Sequence, residues 1–511
     1  MDRGSQKAIL FISKIFNKKR VTVSLPCIIF ILFGLIYFTI VICNHYFFRT
    51  YAFDYGAYNF AFYDYAHFRI SENPVYNMNH INHMSFLQDH VSFTLMLFIP
   101  LYWVLAWLTG TYTLLIVQTC IIIYGAWAVY KLIEFKTNNH LLSLLALIQY
   151  FILAGRWTSF FSDCNLAIMA SSLVPVLLLY FERKNLIPAI LVFVFILLTR
   201  EDMALWTAFI ALFLFIIHFK DSWYRKVSVI FLAISIIYFI LIFTVFIPLI
   251  ETPYKKFTLF NYSVLGENPY KALIFILKHP FNTIKLLFVN NSGNPTYNNV
   301  KFEFYIYYFL CGGFLLLFRP KYILLFIPIL AKKMLNDVPV RWSMELYYSI
   351  EFVSILPVVV FLIISEIKNR KLKNFCLIIV CIATLFLTIY KLDSPNRKLK
   401  WWGDSKYAFY KAKMFKAEFN VKKVNRYLNL IPDKAKVSAS GKINPHLAFR
   451  EKIYYFPWVC DAEYIATFLE NDTYPLNKKD FFFELCKYLE DDSWNIIVLD
   501  YPFLLMKKEQ N

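Results

Sequence analysis

The chain has 511 residues, of which 59% are hydrophobic and only 17% charged, with a mean hydropathy of +0.51. Soluble domains carry less apolar material than this, and here the apolar runs are separated by short charged loops, so an ordinary soluble protein is excluded and a multi-spanning one expected. The formal charge of +19 falls largely in those short loops, with no basic stripe interleaved with stacking aromatics, so nucleic acid is not an expected partner.

In chain order, Arg3, Lys7, Lys14, Lys18, Lys19 and Arg20 precede the apolar run 21–48. The run is longer than the apolar region of a signal peptide and no small-residue cleavage site follows, so a retained first span with a cytoplasmic N-terminus is expected. It opens at Asp54 into a polar loop, FDYGAYNFAFYDYAHFR, within a first outer loop spanning 49–90. Further apolar runs lie at 91–108, 111–130, 141–155, 164–181, 186–199, 203–219, 227–250, 303–318, 321–335, 346–366 and 374–391. The short basic loops 131–136, 183–184, 220–226, 319–321 and 368–373 fall on one side if every run after residue 110 crosses. That side coincides with the N-terminus only if one earlier run fails to cross. The run 91–108 follows a polar loop, contains Pro100 and is rich in interfacial aromatics, so it is expected to be re-entrant or juxtamembrane.

The expected architecture is therefore mainly α: a polytopic transmembrane helical bundle of about 11 spans over residues 1–391, at the cell membrane, with the N-terminus in and the C-terminus out. The outer side then receives the Asp54–His90 loop, Asp163, Arg200-Glu201-Asp202, the segment 251–301, Arg341 and everything after Leu392. The run 186–199 is short: as helix it covers about 21 Å of a ~30 Å hydrocarbon core. The Arg200-Glu201-Asp202 triplet is thus expected below the outer surface, facing a wet cavity or snorkelling at a tight turn. Lys271, Lys278 and Lys285 recur every seven residues in 268–289, which predicts one amphipathic helix along the outer interface.

Residues 392–511 change character and predict one small α/β domain, outside. KVNRYLNLI and DFFFELCKYLED read as helices, and KVSAS, KIYYFPWV and WNIIVLDY as strands. The stretch 397–426 is basic and aromatic, suited to anionic headgroups. The nine cysteines show no CxxC spacing, so neither zinc nor thioredoxin-type chemistry is indicated, and Cys460 and Cys486 are expected to be solitary thiols. His67, His80 and His83 share a loop with Asn79 and Asn82 but lack a completing ligand.

Taken together, FDYGAYN (53–59), DHVSFTLMLFIPLYWVL (89–105), LLIVQ (114–118), LLTREDMAL (197–205), SVLGENPYKALIFILKHP (263–280), YYSIEF (347–352) and KVSASGKINPHLAFREKIYYFP (436–457) resemble a family of predicted membrane proteins grouped as domain of unknown function 2079. The family is regarded as related to the glycosyltransferase C superfamily. That resemblance implies an integral membrane enzyme moving a sugar from a polyprenyl-phosphate donor at the outer face to a glycan, lipid or protein acceptor. Superfamily enzymes carry an acid in the first outer loop, and Asp54 occupies that place.

The chemistry asks for such a group. Inverting transfer needs a base for the acceptor hydroxyl, and a carboxylate can supply it. The leaving lipid phosphate needs cations: His90, Arg200 and Arg341 are candidates, with Lys271 or Lys278 holding the phosphate. Asp163, Glu201 or Asp202 would serve as a second carboxylate, orienting the acceptor or holding a divalent ion; no other cofactor is implied. Many superfamily members carry two adjacent acids in this loop, whereas Asp54 is followed by Tyr55 and then by Asp64, which weakens the case for a metal there. The structural alternatives are that Asp54 caps a helix beginning near Ala57 and that Asp89-His90 caps the 91–108 element. A transporter or lipid flippase and an envelope scaffold are the alternative functions.

Overall fold

A computed structural model describes residues 18–70, 72, 75, 85–251, 260–393, 404–470 and 472–509. Arg3, Lys7, Lys14, Asn79, His80, Asn82, His83 and the start of the basic segment, 397–403, lie outside the described residues.

The chain is mainly helical, with a small C-terminal sheet. Four helices are long and apolar enough to cross a membrane: Leu25–Tyr46, Ile99–Thr137, Ser222–Ile250 and Arg370–Asp393. A fifth arises if His140–Ile152 and Ala154–Ser162, bent by 42°, form one span. Leu166–Glu182, Leu186–Leu197 and Met203–Ile217 are apolar but shorter. The eleven expected crossings are thus matched at four or five places by full-length helices. The runs 303–318 and 321–335 illustrate the difference: they break into Val300–Leu310, two 3₁₀ segments and Ile327–Met334, with Gly312 at φ 121° and Pro320 and Pro328 interrupting. Apolarity marks a segment that avoids water, but not one that is straight.

The first helix shows what such segments face. Ile28, Ile31, Leu32 and Leu35 form an exposed apolar stripe, while Tyr37, Ile40 and Val41 on the other side are buried. A helix apolar on both faces belongs in lipid with one side against protein. Several ends are set by side chains capping backbone N–H groups, as in Asn139, Asn165, Asp221 and Asn268.

The run 91–108, expected to be re-entrant or juxtamembrane, passes after Thr94–Leu97 into the Ile99–Thr137 helical stretch, interrupted at Gly110, whose φ of 52° only glycine adopts readily. One sequence expectation is revised. The segment 268–289 is two helices, Pro269–Lys278 and Pro280–Phe288, because Pro280 has no N–H to continue the ladder.

The C-terminal domain has five strands, β1 Val437–Ala439, β2 Ile453–Tyr455, β3 Tyr464–Phe468, β4 Trp494–Asp500 and β5 Phe503–Lys508, in the order β2-β1-β3-β5-β4. β1 is parallel to β2 and β3, and β5 is antiparallel to β3 and β4. The expected helices form at Val421–Leu428 and Lys478–Leu489, whereas β3 and β5 had no counterpart in the expectation. This domain sits directly on the membrane part. Ala52 N–H donates to the Gly441 carbonyl at 2.7 Å, and a Cβ at Gly441 would collide with the Tyr51 ring, as one at Gly56 would with the Asn444 amide. Arg49 fastens the strap between the two parts by donating to the carbonyls of Ser405, Lys413, Met414 and Lys416 at 2.7–3.1 Å.

Arg49→Ala strips four carbonyls of a charged donor, and the expected cost is about 2–3 kcal/mol of stability. It should appear as a lowered Tm and as faster proteolysis within 404–416.

Candidate active site

Asp54 lies in a single π-helical turn, Ala52–Gly56, between the first span and the helix Ala57–Ala66. It caps nothing: the residue preceding the Ala57 helix is Gly56, with no side-chain cap. Its half-buried carboxylate forms no hydrogen bond or ion pair among the described residues. Burial first, and then the nearby Asp163 carboxylate, push its pKa up to about 7, with Lys406 opposing.

Asp163 is the contrasting acid. It is 4% exposed and fully engaged: Oδ2 accepts the Tyr51 N–H at 2.9 Å, and Oδ1 accepts the Lys406 ammonium at 2.8 Å. Its carbonyl takes Gln118 Nε2, whose Oε1 in turn takes the Asn165 N–H, both at 2.9 Å. Asp163 has φ 55°, a conformation costly for a non-glycine residue and held by these bonds. It is therefore committed to positioning the Asp54 turn.

The Arg200-Glu201-Asp202 triplet forms the turn between two short apolar helices and is tightly packed, with Arg200 at 8% and Glu201 at 4% exposure. Glu201 accepts from His90 Nδ1 and from the Val91 N–H, both at 3.2 Å. Asp202 meets Arg200 at 3.3 Å and Lys332 at 2.7 Å, and Lys332 reaches on to Glu351 at 2.6 Å. Burial raises the Asp202 pKa, but Arg200 and Lys332 outweigh it and hold the carboxyl well below its usual range. Asp89 lies 3.9 Å from His90 and its charge also reaches Asp54; the helix Thr94–Leu97 that opens the 91–108 element is preceded by Phe93 with no side-chain cap, so Asp89-His90 is not its capping pair.

His90, Arg200, Lys332, Lys333, Arg341, Tyr347, Tyr348 and Glu351 enclose one cavity of about 50 Å³. Lys333 is structural, its ammonium held by the carbonyls of Arg341, Ser343 and Tyr348. The half-buried Arg341 guanidinium has no ion pair among the described residues. Tyr58 and Tyr348 each feel the charges of both Asp54 and Arg200, which places the free carboxylate and the cationic cavity in one neighbourhood. An apolar groove of about 360 Å³, lined by residues including Trp206, Phe239, Phe243, Leu273 and Ile276, ends at Asp202 and Lys332.

The structure thus brings together Asp54, Asp163, His90, Arg200, Glu201, Asp202 and Arg341. It leaves Lys271 and Lys278 outside: both are exposed, with Lys271 engaged by Glu267 on its own helix. Asp64 pairs with Arg69 at 3.3 Å, and His67 bonds only to the Tyr63 carbonyl, at 2.7 Å. Among the described residues no group of three His, Cys, Asp or Glu side chains converges as a metal cradle. Lys332, Glu351 and Lys406 were missed. Lys332 looked like the charged end of an apolar run, Glu351 lay within one, and Lys406 is ~240 residues from its partner, a pairing no local pattern encodes.

A family model described as predicted membrane protein (DUF2079) matches residues 44–491. The chain belongs to this family. No curated protein matches it. In this DUF2079 protein the matched region contains every residue of the site above, and it ends before β4 and β5.

The raised Asp54 pKa has a stability consequence. Between the ordinary value of 3.8 and about 7, the unfolded chain gives up a proton that the folded protein retains, so stability falls across that window and the loss is complete above it. Asp54→Asn removes the group, and its Tm advantage over wild type should grow from pH 4 to pH 7 and then level off. An advantage independent of pH would mean that Asp54 titrates normally.

Proposed function

We propose that this protein is a membrane glycosyltransferase that moves a sugar from a polyprenyl-phosphate donor to an acceptor hydroxyl at the outer face of the cell membrane, with Asp54 as the base. Its fold would be glycosyltransferase-C-like, with about 11 crossings, the broken and short helices included, the N-terminus inside and the C-terminal domain outside. The observation that carries the reading is the Asp54 carboxylate, its pKa pushed up to about 7, near a cavity lined by Arg341, both without an ion-pair partner among the described residues.

The step balances simply. The acceptor oxygen attacks the anomeric carbon as its proton passes to Asp54, and the bond from that carbon to the phosphate oxygen breaks with inversion. The electron pair leaves on the lipid phosphate, which already carries negative charge, so cations rather than an acid stabilise its departure. Arg341 and Arg200 are the groups for this, with His90 beside them. A base with a pKa near the working pH combines availability with proton affinity. The apolar groove ending at Lys332 suits the polyprenyl chain, because it lets the tail stay out of water while the phosphate meets charge. A divalent ion, where used, would be shared with that phosphate, since Asp163 is already occupied.

One observation favours transport or lipid flipping as a second reading. At the other end of the Leu166–Glu182 helix, about 25 Å from Asp163, a second cavity of about 250 Å³ is lined by Glu182, His218, Lys321 and Glu366. Its acids are paired, Glu182 with Lys136 and His218 and Glu366 with Arg319 and Lys321. Purified protein that moves a labelled lipid between leaflets without forming a glycosidic bond would establish that reading.

Mass spectrometry of lipid-linked and surface glycans decides the first. Cells carrying wild type should form a glycan absent from the deletion strain, and Asp54→Asn, inserted at normal levels, should lose it by roughly 10²–10⁴-fold. Arg341→Ala should weaken donor use more than acceptor use. Wild-type product from Asp54→Asn would remove that residue from the chemistry.

A further inference from the structure

A second recess, of about 480 Å³, lies where the C-terminal domain meets the Thr111-Tyr112 turn. It contains neither Asp54 nor any residue of the cationic cavity. Its deepest charged group is Arg450, only 6% exposed. Nε donates to the Leu447 carbonyl at 2.8 Å and Nη1 to the Ala435 carbonyl at 3.1 Å, which fixes the guanidinium plane and leaves Nη2 without a partner among the described residues. A buried guanidinium ordinarily has a carboxylate against it. Asp433 lines the same recess and acts on Arg450 electrostatically, yet the two form no ion pair.

A ligand group filling that gap must accept from Arg450 and donate to Asp433. A hydroxyl does both. An anionic ligand would be repelled by Asp433 and a cationic one by Arg450. Asn425 and Asn429, whose side-chain amides make no hydrogen bond among the described residues, add uncharged donors and acceptors on the wall. The aromatic residues Tyr112 and Phe449 also line the recess, and aromatic rings suit the C–H groups of a sugar. His446 stacks against His45 with centroids 4.0 Å apart, and its Nε2 is buried without a partner. Uncharged amides, one acid, one base and two aromatic residues in the same lining together complement a sugar ring.

We propose that this recess binds an uncharged saccharide, with neighbouring hydroxyls bridging Asp433 and Arg450 and the amides of Asn425 and Asn429 holding the ring edge. The site goes beyond the transfer reading and does not require it. It shares a wall with the Asp54 turn, because the Thr111 carbonyl accepts from Tyr55 Oη and from Asn59 Nδ2. A glycan seated there would lie beside the Asp54 turn.

The test uses the full chain in a detergent without a sugar headgroup. Glucose, galactose, mannose, N-acetylglucosamine and chitobiose serve as probes in saturation-transfer difference NMR, with inorganic phosphate as a competitor. At least one saccharide should receive saturation and be indifferent to phosphate. The double variant Asp433→Ala/Asn425→Ala, whose side chains form no hydrogen bond or ion pair among the described residues, should bind it roughly tenfold or more weakly, from two lost hydrogen bonds, with at most a small change in Tm. Asp54→Asn should bind as wild type does, so a failed transferase assay and a failed binding assay are separable. The absence of saturation on every probe, an unchanged signal in the double variant, or displacement by phosphate would each overturn the proposal.

Discussion

The Asp163 carboxylate, accepting from the Tyr51 N–H and the Lys406 ammonium, joins three parts of the chain that are remote in sequence. One is the turn carrying Asp54, one is the bent end of a membrane helix, and one is the strap that begins the C-terminal domain. The charges themselves stabilise little on balance, because desolvating both partners offsets most of their attraction. What the pair supplies is specificity. With Lys406 only 3% exposed, any arrangement that separates the two leaves a lone charge in a dry place, and such arrangements are strongly disfavoured.

Two classes of acid result, and environment alone distinguishes them. Asp163, Glu201 and Asp202 are each paired with a cation or a backbone N–H and are therefore held in place. Asp54, near Asp163, has no hydrogen-bond or ion-pair partner among the described residues. The same low dielectric that fastens the first group raises the proton affinity of the second. A similar contrast runs through the cations: Lys332 and Lys333 are consumed in holding helices and loops, whereas Arg341 remains available. Groups left over after the structural bonding is complete are where ligand chemistry is to be sought.

Much of this was legible in the chain. Apolarity revealed a membrane protein, Asp54 stood out by its place after the first span, and Arg200-Glu201-Asp202 by the shortness of the run before it. Helices in the C-terminal domain could be read from their periodicity. The span count could not, because prolines and glycines near residues 312–328 break apolar runs into pieces without lowering their hydropathy. The break at Pro280 ended the single amphipathic helix in the same way. β3, YIATF, is buried at every residue and β5 at its first four, so the period-two signal was missing. The interdomain contacts were invisible for a different reason: Lys406 and Gly441 become informative only when their partners near Tyr51 and Asp163 are known.

The most direct measurement is a double-mutant cycle on the unfolding of the full chain, combining Asp163→Asn with Lys406→Met. Each single variant strands a buried group, so both should be strongly destabilised, while the double variant should be less so than their sum, with a coupling of roughly 1.5–3 kcal/mol. Additive effects would mean that the C-terminal domain does not rest on the Asp54 turn through this bond, and the account of how that turn is held would have to be abandoned.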